Sequence, residues 1–165
     1  MPHPGEDPRT VPILRPLRAD EARALQSFYE GLPDESQRLF RPLGWNAELA
    51  RYADVCAANT AGTRFDLVLE ADSRIVGWAF LQALDTETPV LGIGIAESHV
   101  GRGHGKRLMD ALIGRARAAG KKAIALCHVA GNDRAHRLYV SCGFAVTSTF
   151  HGEDGLDYLK MRLTL

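Results

Sequence analysis

The chain has 165 residues, 45% of them hydrophobic and 24% charged, which suits one globular domain with a substantial core. Its 20 basic and 20 acidic side chains cancel, so no surface-wide basic field marks a nucleic-acid binder and any anion site must be local. No apolar stretch approaches the ~20 residues of a membrane span, and three cysteines without a C-x-x-C pair suit reduced thiols.

Residues 1–10 are rich in proline and polar side chains and read as a flexible tail, leaving 11–165 as a single domain. The start lacks the basic end and apolar run of a signal peptide, so a cytoplasmic protein is expected. Val11 to Leu17 reads as an edge strand, because Pro12 and Pro16 are tolerated only where no neighbour needs their N–H. Asp20 is placed to cap a helix with Ala22, Leu25, Phe28 and Tyr29 on one stripe, and Gly31 ends it. Further helices are expected from Pro33 to Phe40 and from Ala47 to Ala58. Phe65 to Glu70 and Ile75 to Leu84 form an antiparallel hairpin, and a turn ending at Pro89 leads to a strand from Val90 to Ile95.

After a glycine-rich turn, the spacing of Leu108, Met109, Leu112, Ile113 and Ala116 predicts an amphipathic helix from Lys106 to Ala119, ended by Gly120. Ala123 to His128 is apolar on both faces and reads as a central parallel strand. Asn132 caps a helix with Ala135, Leu138, Tyr139 and Cys142 inward, closed by Gly143. Phe144 to Phe150 and Leu156 to Leu163 make a last hairpin. Antiparallel strands followed by β-α-β units imply an α/β architecture: one mixed sheet of six to seven strands flanked by about four or five helices.

Chemistry concentrates in the run Val100-Gly101-Arg102-Gly103-His104-Gly105-Lys106-Arg107. A glycine-rich strand-to-helix turn presents backbone N–H groups at a helix N-terminus, where the macrodipole favours negative charge. Arg102, Lys106 and Arg107 add positive charge, so the run reads as a phosphate cradle. It is not a P-loop, because Val100 and Arg107 occupy the positions of the first glycine and the Mg²⁺-binding hydroxyl. It is not a dinucleotide fingerprint either, because Lys106 stands where the third glycine belongs. What remains is G-x-G-x-G opening a helix.

A second segment, Asn132-Asp133-Arg134-Ala135-His136-Arg137-Leu138-Tyr139 followed by Gly143-Phe144, places Asn132 and Tyr139 two helical turns apart on one face. Together the two segments resemble the signature of the GNAT acetyltransferases, and the element order is similar to the GNAT fold from Val11 onward. The resemblance implies acetyl-CoA as cosubstrate and a primary amine, of a small molecule or of protein lysine, as acceptor in a ternary complex. It implies no metal, no nucleic acid and no membrane, in a monomer or homodimer. The loop residues 100–106 would hold the pyrophosphate, with Gly103 and Gly105 allowing close backbone approach. Backbone groups of Gly94, Ile95, Ala96 and Glu97 would receive the pantetheine arm, Asn132 would bond it, and Tyr139 would protonate the departing sulfur. Val100 departs from the glutamine or arginine usual at its position.

An amine of ordinary pKa near ~10.4 needs a proton acceptor before it attacks. Glu97, at the end of the strand before the loop, is the leading candidate, with His128 or a water chain as the alternatives. Gly92 and Gly94 mark a bulge, a ligand approach or close packing. Leu32 to Phe40 resembles a segment of bacterial protein lysine acetyltransferases. The rival reading is a non-catalytic acyl-CoA-binding module of the same fold.

Overall fold

Along β2 (Arg64–Ala71) and β3 (Arg74–Gln82), successive side chains alternate between two apolar faces. Leu67, Leu69, Ala79 and Leu81 face one core, whereas Val68, Trp78 and Phe80 face another. The sheet is therefore buried on both sides, and helices cover each. The computed structural model describes residues 10–165, so the tail expected over 1–10 lies outside the described residues save Thr10.

The elements run β1 (Ile13–Pro16), α1 (Ala22–Glu30), α2 (Asp34–Leu39), α3 (Leu49–Ala61), β2, β3 and β4 (Val90–Ile95), then a 3₁₀ turn at Glu97–His99. They continue as α4 (His104–Ala118), β5 (Ala123–Val129), α5 (Asp133–Ser141), β6 (Ala145–His151) and β7 (Asp157–Thr164). One seven-stranded sheet has the order β1-β2-β3-β4-β5-β7-β6, with β4 and β5 parallel and the other neighbours antiparallel. Leu108, Met109, Leu112, Ile113 and Ala116 of α4 pack on one face with Tyr139 of α5. Leu25, Phe28 and Tyr29 of α1 and Tyr52, Val55 and Cys56 of α3 pack on the other. β1 lies at the sheet edge, as its prolines require.

One expectation needs correction, and the structure chooses among the alternatives left open for another. Asp20 does not cap α1: the helix starts at Ala22, and its N-cap residue is Glu21, which makes no side-chain cap. Arg15 overrides the local capping rule by drawing the Glu21 carboxylate to itself, at 2.9 Å from Nη1, in a network that also includes Glu70. This Arg15 pairing holds the Glu21 carboxyl below its ordinary range despite partial burial. Gly92 and Gly94, in turn, mark no bulge, since β3 and β4 stay in unbroken register through both. They are packing glycines. A Cβ on Gly92 would lie 2.3 Å from the Phe80 ring, and one on Gly94 would lie 2.4 Å from the Phe40 ring.

Phe80 is braced on two sides, by the Arg64 guanidinium 4.3 Å over it and by Trp78 5.6 Å away between centroids. Gly92→Ala is accordingly expected to destabilise the fold by about 1–3 kcal/mol through overpacking. Urea unfolding measures this, and an unchanged midpoint would show that the ring moves freely.

Candidate active site

β4 and β5 start side by side but, among the described residues, pair only at Val90 and Ala125. The opposite edge of β4 is held by β3 from Val90 to Ile95, and Ala96 extends that ladder by donating its N–H to the Val76 carbonyl at 2.9 Å. Alternation along an antiparallel pair then turns the backbone groups of Ile93 and Ile95 toward β5, into the gap left by the splay. An unpaired strand edge inside a cleft accepts an extended ligand as an added strand.

A groove of about 370 Å³ leads from this gap. Its walls include Ile93, Gly94, Ile95, Glu97, Val100, Gly101, Gly103, Gly105, Lys106 and Asn132. Gly101 (φ 76°) and Gly103 (φ 83°) are both left-handed, a conformation that other residues rarely adopt, so the two glycines shape the turn. Gly103 is the N-cap of α4, and the N–H groups of the first turn, from His104 through Lys106, have no carbonyl within the helix to bond. The macrodipole of this 15-residue helix reinforces the site for an anion.

A second cavity, about 410 Å³, opens on the other side of the gap. Phe40, Ile93, Asn132 and Ala135 line both spaces, so groove and cavity join there. Tyr139 projects from α5 into the cavity, its ring 5.7 Å from that of His128. Burial raises the Tyr139 pKa above its ordinary value, and Cys127 adds to the effect.

From residue 23 to residue 144 the sequence matches the acetyltransferase (GNAT) family model. The chain belongs to this family. As a GNAT protein it is an acyltransferase, and its glycine loop, splayed strands and joined cleft fit acetyl-CoA as donor. Among curated proteins no sequence matches it. Its fold is similar to a GNAT acetyltransferase of Streptococcus pneumoniae (TM-score 0.80, 19% identity, covering 93% of this chain and 99% of that one). It is also similar to a ribosomal-protein-alanine N-acetyltransferase of Brucella melitensis (TM-score 0.77, 24% identity, 93% and 99%). A phosphinothricin acetyltransferase of Sinorhizobium meliloti, solved with acetyl-CoA, shares the fold at a TM-score of 0.73 and 19% identity, over 94% of this chain and 89% of that one.

The GNAT loop in this chain distributes its charges differently from the sequence expectation. Lys106 lines the groove and pairs with Asp110 one turn on. Arg107 is turned away, donating to the Pro12 carbonyl at 3.1 and 3.2 Å, and its Nη1 lies 3.1 Å from His104 Nδ1. The His104 side chain is buried, so only its backbone faces the loop; burial, with Arg107 next, lowers its pKa. Arg102 is exposed and outside the groove wall. Gly105 is a packing glycine, because a Cβ there would lie 3.0 Å from Leu138. Ala96 has its N–H engaged by Val76, which leaves Ile95, and the unanticipated Ile93, to face the splay.

Asn132 caps α5 with its side-chain oxygen, 3.5 Å from the Ala135 N–H, which leaves the amide nitrogen to donate into the shared space. Glu97 is exposed, accepts from Ser36 Oγ at 3.2 Å and lines the groove but not the Tyr139 cavity. His128 is buried in that cavity. Its Nδ1 lies 2.9 Å from the Val129 carbonyl, which can only accept, so Nδ1 carries the proton. Nε2 then accepts from His136 Nδ1 at 3.0 Å. Burial, the largest effect, lowers the His128 pKa.

All three cysteines are free, and burial pushes each thiol up, including Cys127 in the cavity wall. Among the described residues no cluster of His, Cys, Asp and Glu is arranged to hold a metal, and no helix is long and apolar enough to cross a membrane. Arg38, Arg41 and Tyr158 in the cavity wall escaped the sequence reading. Arg41 meets Asp154 and Tyr158 across more than a hundred positions, so no local pattern announces that contact.

Proposed function

We propose that this GNAT enzyme transfers the acetyl group of acetyl-CoA to a primary amine by direct attack in a ternary complex. The observation that carries this reading is the junction of groove and cavity at Ile93, Asn132 and Ala135, beside Tyr139. When bound, acetyl-CoA supplies an activated acyl group whose leaving thiolate must gain a proton. The first-turn N–H groups of α4, with Gly101 and Gly103 shaping their approach, hold a diphosphate. Ile93 and Ile95 present backbone groups to an extended arm, and the Asn132 amide nitrogen donates to a carbonyl on it. Tyr139 stays protonated and is the acid. Raised thiol pKa values keep the cysteines as thiols and weaken them as acyl carriers.

The amine proton passes through water to Glu97. His128 is the weaker base on two grounds: its one lone pair already accepts from His136, and burial disfavours its charged form. Glu97 shares the groove with Asn132 and is open to solvent, so water can link it to the junction.

Glu97→Gln is expected to lower kcat about tenfold, less than a direct proton transfer would cost, because solvent water reaches the same place. Thiol release from acetyl-CoA with a panel of amines measures it, and His128→Asn should lose less. A larger loss in His128→Asn would move the base to His128. Stabilisation by CoA without turnover on any amine would favour a binding module instead.

A further inference from the structure

Two arginines, Arg38 and Arg41, line the acceptor cavity, each paired with a carboxylate that lies outside the lining, and among the described residues no carboxylate lines it. The remainder is compact and largely apolar, with Phe40, Phe80 and Ile93 opposite Tyr139. Arg41 is set in place from behind. Its side chain is only 12% exposed, and one terminal nitrogen donates both to the Asp154 carboxylate and to the Tyr158 hydroxyl, at 2.7 Å for the latter. The Trp45 ring stacks 4.3 Å from the guanidinium carbon. The other terminal nitrogen and Nε keep their N–H donors for another acceptor. Arg38 pairs with Glu35 through Nε and one terminal nitrogen on the exposed side of α2, leaving its second terminal nitrogen.

We propose that the acceptor amine also bears a carboxylate, as a free amino acid does, and that Arg41, assisted by Arg38, holds that carboxylate while the amine faces the junction. A charge-assisted bond to a fixed, mostly buried guanidinium is strong and directional. A polyamine or basic peptide would instead bring further cations to a lining that, among the described residues, offers them no carboxylate. The apolar walls suit a compact hydrocarbon side chain. The inference rests on the acetyl-transfer reading above and narrows its acceptor.

The test compares free amino acids with their own amides and with spermidine, on the protein loaded with CoA for thermal stabilisation and with acetyl-CoA for thiol release. The expected result is that at least one amino acid exceeds its amide about tenfold in kcat/KM and in stabilising potency. Arg41→Gln should erase that preference. Because Arg41 also bridges to Asp154, Arg38→Gln, which breaks only an exposed pair, is the second variant and should reduce the preference in a folded protein. Amides or spermidine performing as well as the acids would overturn the inference while leaving acetyl transfer intact, and so would an Arg41→Gln variant that keeps the preference. If acids stabilise the CoA-loaded protein in preference to amides yet no thiol is released, the carboxylate site stands and the acetyl-transfer reading fails. No stabilisation and no turnover by any amino acid would overturn the inference as well.

Discussion

Replacing Asp66 by alanine is expected to destabilise the fold by about 3–5 kcal/mol, the cost of leaving a buried charge without its partner. Asp66 is fully buried in β2, yet its carboxylate is satisfied on every side. It accepts from Arg64 Nε at 2.8 Å and Nη2 at 3.1 Å, from Asn59 Nδ2 at 2.8 Å and from the Trp78 indole N–H at 2.6 Å. Asn59 Oδ1 in turn accepts the Asp66 backbone N–H at 2.7 Å, which ties α3 to the sheet. Truncation would orphan the Trp78 indole N–H and strip the Arg64 guanidinium of its charged partner, leaving it the Gln82 side chain alone, while Asn59 Nδ2 would keep only the Val55 carbonyl. The loss is a large part of the about 5–15 kcal/mol that separates a folded domain from its unfolded chain. Asp66→Asn keeps the volume and one acceptor oxygen, so it should lose less. Urea unfolding of both variants measures the effect, and a loss below about 1 kcal/mol for Asp66→Ala would show that water replaces the carboxylate. The network also bears on the site, since Arg64 lies over Phe80 in the acceptor wall.

The fold was legible in the chain because its elements carry strong periodicity. The stripe of Leu108, Met109, Leu112, Ile113 and Ala116 could only be a helix, and each strand is bounded by turn residues. Strands consecutive in the chain are neighbours in the sheet, except that β7 inserts between β5 and β6. The glycine turn at Gly101 and Gly103 and the helix carrying Asn132 and Tyr139 were legible too, because they belong to two short local segments. The wall of the second cavity around Arg41 was not. Arg41 meets Asp154 across 113 positions and Tyr158 across 117, and Asp66 gathers Asn59 and Trp78 from other elements. Local rules failed in two places: α1 starts without the expected Asp20 cap, its N-cap residue Glu21 being paired with Arg15, and the Pro12 carbonyl took Arg107 from the loop. Gly92 and Gly94 show the same limit. Their spacing left a bulge, a ligand approach and close packing open, and two aromatic rings distant in sequence decide for packing.

Tyr139→Phe should lower kcat about a hundredfold while leaving the KM for acetyl-CoA within about twofold. The ring is part of the core, packed against Phe144 at 6.1 Å between centroids, and phenylalanine preserves that packing. What it removes is the hydroxyl. Among the described residues no group hydrogen-bonds that hydroxyl, and no buried side-chain polar atom lacks a partner, so the oxygen reaches the open cavity. A proton donor there matters only as the sulfur leaves, which is why the loss falls on kcat and not on ground-state binding. Burial raises the Tyr139 pKa, so the acid form persists above its ordinary value of about 10 and imposes no alkaline limb below it. The wild-type rate should therefore hold on the alkaline side until other groups titrate. Single-turnover thiol release, with unfolding as the control for packing, separates the outcomes. A phenylalanine variant that keeps the wild-type kcat would mean that the thiolate leaves unaided or takes its proton from water. Then Tyr139 would remain a core aromatic, and the junction of groove and cavity would work by positioning alone.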